Sequence, residues 1–316
     1  MKRARFSEVF LRHLHRVTRQ DFEVWFDAGS SREPDGLYTH LRLRARDAQR
    51  WAEVRPAVIA YFERAHADAR DYFHEALGVS LDPRGGDHVI DYPSSLPLGT
   101  KKGYFGEVFC GMLAEAEQVA GGEDWEVPIF LFRLHHAAEE YLTRLITGEA
   151  VAVDMPGRTG SDCLALALAQ DGSIEAILSA ESKCHETFNI TIAKQAIAAL
   201  GTQAGVPVSL PQLKRLLAEL DAERYKPTIL ALERLITVAR QPTVPRRDLI
   251  VFIFEDPAVH DYAAPRITVA DIQGHYRCNC DRRLQVVEVH LPGAGALIEQ
   301  LYDGLYRGGE AVDANN

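Results

Sequence analysis

Two carboxylates and an amine, Asp162, Glu181 and Lys183, flank a segment that reads as a β-hairpin. The turn is signalled by Gln170-Asp171-Gly172-Ser173, an Asp-Gly pair between apolar runs, the strongest short-range mark of a two-residue hairpin loop. With Asp171 and Gly172 as the loop, Gln170 faces Ser173, and counting back along both strands sets Asp162 opposite Glu181. Directly paired residues have Cβ atoms roughly 4.5 to 5.5 Å apart, and Lys183 shares the face of Glu181 because strand side chains repeat with a period of two. The register therefore predicts that all three groups converge at the open end of the hairpin.

Core packing does not call for such an arrangement, because paired like charges repel unless a cation is shared between them. A divalent metal relieves the repulsion. Mg²⁺ (or Mn²⁺) takes hard oxygen ligands, commonly one or two carboxylates with waters and substrate phosphate, which Asp162 and Glu181 could supply. Lys183 could then orient or deprotonate the attacking water and offset charge on a pentavalent phosphate. Phosphodiester hydrolysis is the reaction these parts suit best. The Glu-Ser-Lys triplet alone decides nothing, since about one acidic-x-Lys triplet is expected by chance at this composition. The hairpin register, the strand position and the second acid favour a metal site over a solvated hairpin mouth.

With these residues in view, the chain resembles a family. A helix bearing a glutamate, an Asp-led strand, an (Asp/Glu)-x-Lys strand and a following helix resemble the PD-(D/E)xK nuclease superfamily. More narrowly, Gly106-Glu107-Val108 with Ala114-Glu115, Pro156-Gly157 ahead of Gly160-Ser161-Asp162, and Glu181-Ser182-Lys183 are similar to the HamA nuclease subunits of Hachiman anti-phage defence systems. The resemblance spans about residues 100 to 200, and Ser161 stands where the superfamily's proline would precede Asp162. It implies a restriction-endonuclease-like core, Glu107 as a third acid near the metal, DNA as substrate, and a HamB-like helicase subunit as partner.

These side chains need elements to hold them. Tyr104 to Val119 carries apolar residues at 105, 108, 109, 112, 113 and 116, a helical spacing that leaves Glu107 off the centre of the buried stripe. Upstream, Asp21 to Asp27 and Tyr38 to Arg46 read as strands, and Ala52 to Leu77 as a helix. A linker-like stretch from Asp82 to Lys102, with Gly85-Gly86, Pro93, Pro97 and Gly99, marks a candidate domain boundary. It divides an N-terminal α/β region, residues 1–95, from a nuclease-like domain, residues 96–316.

Val127 to Arg133 reads as a strand followed by a helix through Arg144. Ile192 to Leu200 reads as the helix after the site, with Lys194 and Gln195 where a phosphate could approach. Ser209 caps and Pro211 opens a helix to Leu220, and Pro227 starts another through Arg240. Asp248 to Phe254 and Leu284 to His290 are strongly apolar strands, and Gly295 to Leu305 closes the fold as a helix. The alternation predicts an α/β (α+β) fold, a mixed β-sheet flanked by helices.

With 316 residues, 47% hydrophobic and 25% charged, the composition is that of a globular protein. No apolar run suits a membrane span and the amino terminus lacks a signal-peptide stretch, so a cytoplasmic location without membrane contact is expected. The net charge of −10 argues against strong non-specific DNA binding and favours a partner that delivers the strand. Arg42, Arg44 and Arg46 form a ladder on one predicted strand face that could touch phosphate or an acidic partner.

Five cysteines, with Cys278 and Cys280 the one close pair, form no zinc pattern. His135, His136, Glu139 and Glu140 have i, i+4 spacing that can bind zinc but lack a third ligand. His185 falls on the predicted catalytic face. Three readings follow: a metal-dependent nuclease in an anti-phage system, an inactive nuclease-fold scaffold or binding subunit, and a metal hydrolase of small phosphoesters.

Overall fold

A computed structural model of the chain describes residues 17–32, 38–78, 90–117, 119, 123–149, 161–202, 207–237, 244–255, 266–276 and 282–305. The first described element is helix α1, Arg19–Trp25, where a strand was expected from Asp21 to Asp27. The reason is a capping box: Thr18 Oγ accepts from the Asp21 amide at 3.3 Å, and the Asp21 carboxylate accepts from the Thr18 amide at 2.7 Å. Phe22 and Trp25, one turn apart, bury the inner face of this turn, and the strand starts only at Phe26.

Strands β1, Phe26–Arg32, and β2, Tyr38–Ala45, form an antiparallel pair ahead of the long helix α2, Ala48–Leu77, and helix α3, Leu98–Glu117. Next come β3, Trp125–Glu126, a 3-10 turn at Phe132–Leu134 and helix α4, His136–Thr147. The hairpin strands are β4, Cys163–Leu168, and β5, Ile174–His185, followed by helices α5, Ile190–Thr202, α6, Leu210–Asp221, and α7, Lys226–Thr237. Strand β6, Arg246–Phe254, helix α8, Val269–His275, strand β7, Arg283–His290, and helix α9, Ala294–Gly304, complete the described elements.

All seven described strands join one sheet in the order β1-β2-β7-β6-β5-β4-β3. The pairs β2·β7, β7·β6 and β6·β5 are parallel, and the pairs at either margin are antiparallel. Parallel strands covered on both faces read as continuous apolar runs, and Leu249 to Phe254 of β6 is buried throughout. On one face, Ala165, Leu178, Val251 and Val287 pack with α2, α3 and α9. On the other, Ile250, Phe252 and Val286 meet α5 and α8, while Leu164, Leu166 and Ile177 meet α6 and α7. The expected mixed sheet flanked by helices is therefore present. β1 and β2 are hydrogen bonded into it through β7, and residues on both sides of position 95 share the first core.

Two boundaries differ from expectation. Helix α3 begins at Leu98, so residues 98–102 of the expected linker are helical, and Lys101 is buried against the Ser94 carbonyl and Glu299. Residues 82–89 of that linker lie outside the described residues. The strand expected from Val127 to Arg133 does not form; the strand here is Trp125–Glu126, which ends just before it. Pro128 has no amide to donate, and the Val127 amide is taken by Glu115 Oε1 at 2.8 Å. Among the described residues no helix is long and apolar enough to cross a membrane.

Candidate active site

The site is built on the β4–β5 hairpin. Its loop holds three residues, Gln170, Asp171 and Gly172, closed by the Ala169 amide on the Ser173 carbonyl at 2.9 Å. Gly172 has φ of 79°, and Asp171 Oδ1 accepts from the Ser173 amide at 2.9 Å. A three-residue turn with its last residue left-handed is a standard hairpin solution. It would shift the register by one residue. A bulge takes up that shift: Leu168 pairs with Ile174 but Ala167 pairs with Ala176, leaving Glu175 as the extra residue. Beyond it the predicted register is restored, with Cys163 opposite Ala180.

Asp162 continues the ladder for one further bond, its amide donating to the Ala180 carbonyl at 3.0 Å. There β4 ends, and the carboxylate takes over where backbone would have continued. Asp162 Oδ2 accepts from the Ser182 amide at 2.7 Å and from Ser182 Oγ at 3.2 Å. Two residues along β5 from Glu181, Lys183 Nζ donates to Glu181 Oε1 at 2.5 Å. Burial pulls the Lys183 amine down, but the charges of Glu181 and Asp162 and the bond to Glu181 outweigh it, so its pKa is raised. The amine is held as a cation. Asp162, Glu181 and Lys183 thus come together at the hairpin's open end.

Glu107 is buried, 6% exposed, on α3. That helix covers the sheet face opposite the one to which Glu181 and Lys183 belong by strand alternation. It crosses β5 closely at Ser182, where a Cβ on Gly106 would stand 2.5 Å from Ser182 Oγ. One turn from Glu107, Cys110 Sγ faces the Glu181 carbonyl at 3.8 Å. The Cys110 thiol is pushed well up by burial first, and then by Cys163, Asp162, Glu181 and Glu107. The three acids share this neighbourhood, yet among the described residues no three His, Cys, Asp or Glu side chains converge as metal donors. Asp162 and Glu181 remain a hard-oxygen pair of the kind Mg²⁺ uses when water and substrate phosphate complete its shell, so the donor chemistry fits that ion.

Lys183 also lines a shallow pocket with His185, Phe188, Asn189, Phe252 and Phe254, at the carboxyl ends of parallel strands β5 and β6. Open α/β sheets bind ligands at such strand ends. Asn189 Oδ1 accepts the Thr191 and Ile192 amides at 2.9 and 3.3 Å and so caps α5. His185 stands at the mouth, exposed at its rim, and partial desolvation of its ring with the Lys183 and Lys102 cations lowers its pKa.

Several other sequence candidates are engaged elsewhere. Lys194, expected to meet phosphate, is paired with Asp271 at 2.8 Å, and that bond with the Thr268 contacts holds Asp271 at about 2. Arg46 falls beyond β2 and pairs with Asp27 at 2.9 Å, while Arg42 lies across Gly29, so the arginine ladder is not a continuous free row. His135 is buried against the Tyr104 hydroxyl at 2.8 Å, Glu140 is bound to Arg144, and His136 is 3.8 Å from Glu139. Glu115 pairs with Arg64 at 3.0 Å. Pro156, Gly157, Gly160, Cys278 and Cys280 lie outside the described residues.

Sequence reasoning missed the polar groups that brace the hairpin and sheet. Ser209 occupies the N-cap position of α6 without capping it, and its Oγ accepts the Ser161 amide at 3.0 Å. Ser161 Oγ lies 2.8 Å from Ser179 Oγ, so the entry to Asp162 is fastened to both β5 and α6. On β6 the fully buried Asp248 meets Arg246 at 2.9 Å, Arg282 at 3.3 Å and the Tyr276 hydroxyl at 2.5 Å. On β7 the buried Glu288 takes His40 at 3.0 Å and the Ile267 amide at 2.8 Å. A single acid inside each apolar strand was the only signal. No protein-family model and no curated protein matches this chain.

Proposed function

We propose that this chain is a Mg²⁺-dependent nuclease that hydrolyses phosphodiester bonds, with DNA as substrate and Mn²⁺ as an alternative ion. The observation that carries the reading is the meeting of Asp162, Glu181 and the cationic Lys183 at the end of a hairpin in the central sheet. Asp162 and Glu181 would hold the ion, with Glu107 as a third acid from the neighbouring helix. When bound, the ion lowers the pKa of its water and offsets charge on the phosphoryl oxygens. Lys183 would orient or deprotonate the attacking water and offset charge on the developing phosphorane. The Ser182 contacts hold the Asp162 carboxylate in place at the mouth.

In keeping with its resemblance to PD-(D/E)xK nucleases and the HamA subunits, the chain is proposed as the effector of an anti-phage system working beside a HamB-like helicase. The net charge of −10 supports a need for such help, because phosphate neutralisation by Lys and Arg supplies most non-specific DNA affinity. Metal dependence tests the reading. Protein stripped with EDTA and mixed with plasmid at low salt should leave it intact, and Mg²⁺ or Mn²⁺ should restore strand breakage. Breakage that persists in EDTA, or none with both metal and helicase present, would refute the proposal.

A further inference from the structure

Ser182, the middle residue of the Glu-x-Lys triplet, has both of its polar donors on one atom. Its amide and its hydroxyl reach Asp162 Oδ2 at 2.7 and 3.2 Å. The amide bond alone satisfies the donor that β4 leaves behind when its ladder ends at Asp162. The second bond fixes the rotation of the carboxylate, and with it the direction of the other oxygen. Ser182 is itself pinned from behind by α3. A Cβ on Gly106 would lie 2.5 Å from its Oγ and 2.9 Å from its Cβ, so glycine there allows a helix-to-strand approach that no other residue permits without a shift.

We infer that Ser182, clamped by Gly106, is a positioning residue that orients the Asp162 carboxylate toward a divalent cation. This rests on the nuclease reading above. The chain of support runs from the α3 backbone through the Ser182 hydroxyl to Asp162. Groups that orient a metal's ligands in this way commonly contribute a factor of roughly ten or more in metal affinity. The residue touches neither the ion nor the substrate, and its effect should appear in metal binding.

The test is Mn²⁺ binding to the full chain without substrate, followed by loss of the free-ion EPR signal, with folding checked by circular dichroism. Ser182→Ala keeps the backbone donor and should bind Mn²⁺ roughly ten-fold more weakly than wild type. Cleavage by this variant should be depressed at low Mg²⁺ and recover at saturating Mg²⁺. Gly106→Ala keeps the serine but forces its Cβ and hydroxyl away from the helix, and should weaken Mn²⁺ binding in the same direction. The two losses should combine to less than their product, because both act through one contact. Wild-type Mn²⁺ affinity in folded Ser182→Ala would overturn the inference and leave the nuclease reading standing. Absence of Mn²⁺ binding by the wild type would overturn both.

Discussion

Lys183 is set among the charges of its neighbours. Glu181 and Asp162 raise its pKa against the pull of partial burial, and its removal would take the amine from the proposed reaction while leaving two carboxylates to bind metal. Lys183→Ala is expected to lose plasmid cleavage by roughly a hundred-fold or more while still binding Mn²⁺ at least as tightly as wild type. Cleavage within two-fold of wild type would remove Lys183 from the mechanism. A second residue, Asp68, reports on pH. Burial, only partly offset by Arg133, acts with Asp71 and Glu219 to push Asp68 up to about 6. An acid raised above its unfolded value binds its proton more tightly in the native state. Its contribution to stability is therefore complete below about pH 4 and lost as pH rises through about 6. Asp68→Asn should raise the urea midpoint relative to wild type at pH 8 and leave it unchanged at pH 4. Asp162, Glu181 and Lys183 were legible in sequence because hairpin pairing and a period of two are local rules. Ser182, Ser209 and Gly106 were not, since their partners lie 20 or more residues away or on another element.

Among the elements, the hairpin shows how a local expectation can be wrong in detail and right in consequence. The loop has three residues in place of two, and the bulge at Ala167/Leu168 returns the strands to the expected pairing. Gly172 carries this turn, at φ of 79° and with Pro227 2.8 Å from where a Cβ would stand. Gly172→Ala should lower stability by more than about 1 kcal/mol, read as a lower urea midpoint with unchanged slope. Because the turn lies at the far end of β4 and β5 from Asp162, metal-dependent cleavage by the folded fraction should be retained. Loss of cleavage without loss of stability would contradict the idea that turn and bulge serve only to set register. The strand expected from Asp21 to Asp27 is helical as far as Trp25 and extended only at Phe26 and Asp27, because the Thr18–Asp21 capping box starts a helix there. The Val127 strand failed for a tertiary reason, the claim of Glu115 on its amide.

At the scale of the whole molecule, alternation of strands and helices was enough to predict a mixed sheet with helices on its faces, but not the strand order. The pairing of β2 with β7 joins Tyr38 to Leu284, a contact that no local pattern encodes. The buried acids Asp248 and Glu288, which brace the parallel centre, show locally only as a single acid in an apolar strand, and their partners on other elements do not show at all. A molecule with a net charge of −10 should hold DNA weakly by itself. Binding should therefore be weak already at low salt, with a shallow salt dependence because few phosphates are neutralised, and a helicase that delivers the strand should raise cleavage at physiological salt. Equal cleavage with and without that partner at 150 mM salt would remove the need for delivery.

The central claim is that the hairpin mouth performs the hydrolysis. Its most direct test is strand breakage of plasmid DNA by wild type, Glu181→Ala and Lys183→Ala at equal concentration, in Mg²⁺ at low salt. The account predicts nicked and linear plasmid with wild type and background levels with both variants, each folded by circular dichroism. Wild-type cleavage by either folded variant would contradict it.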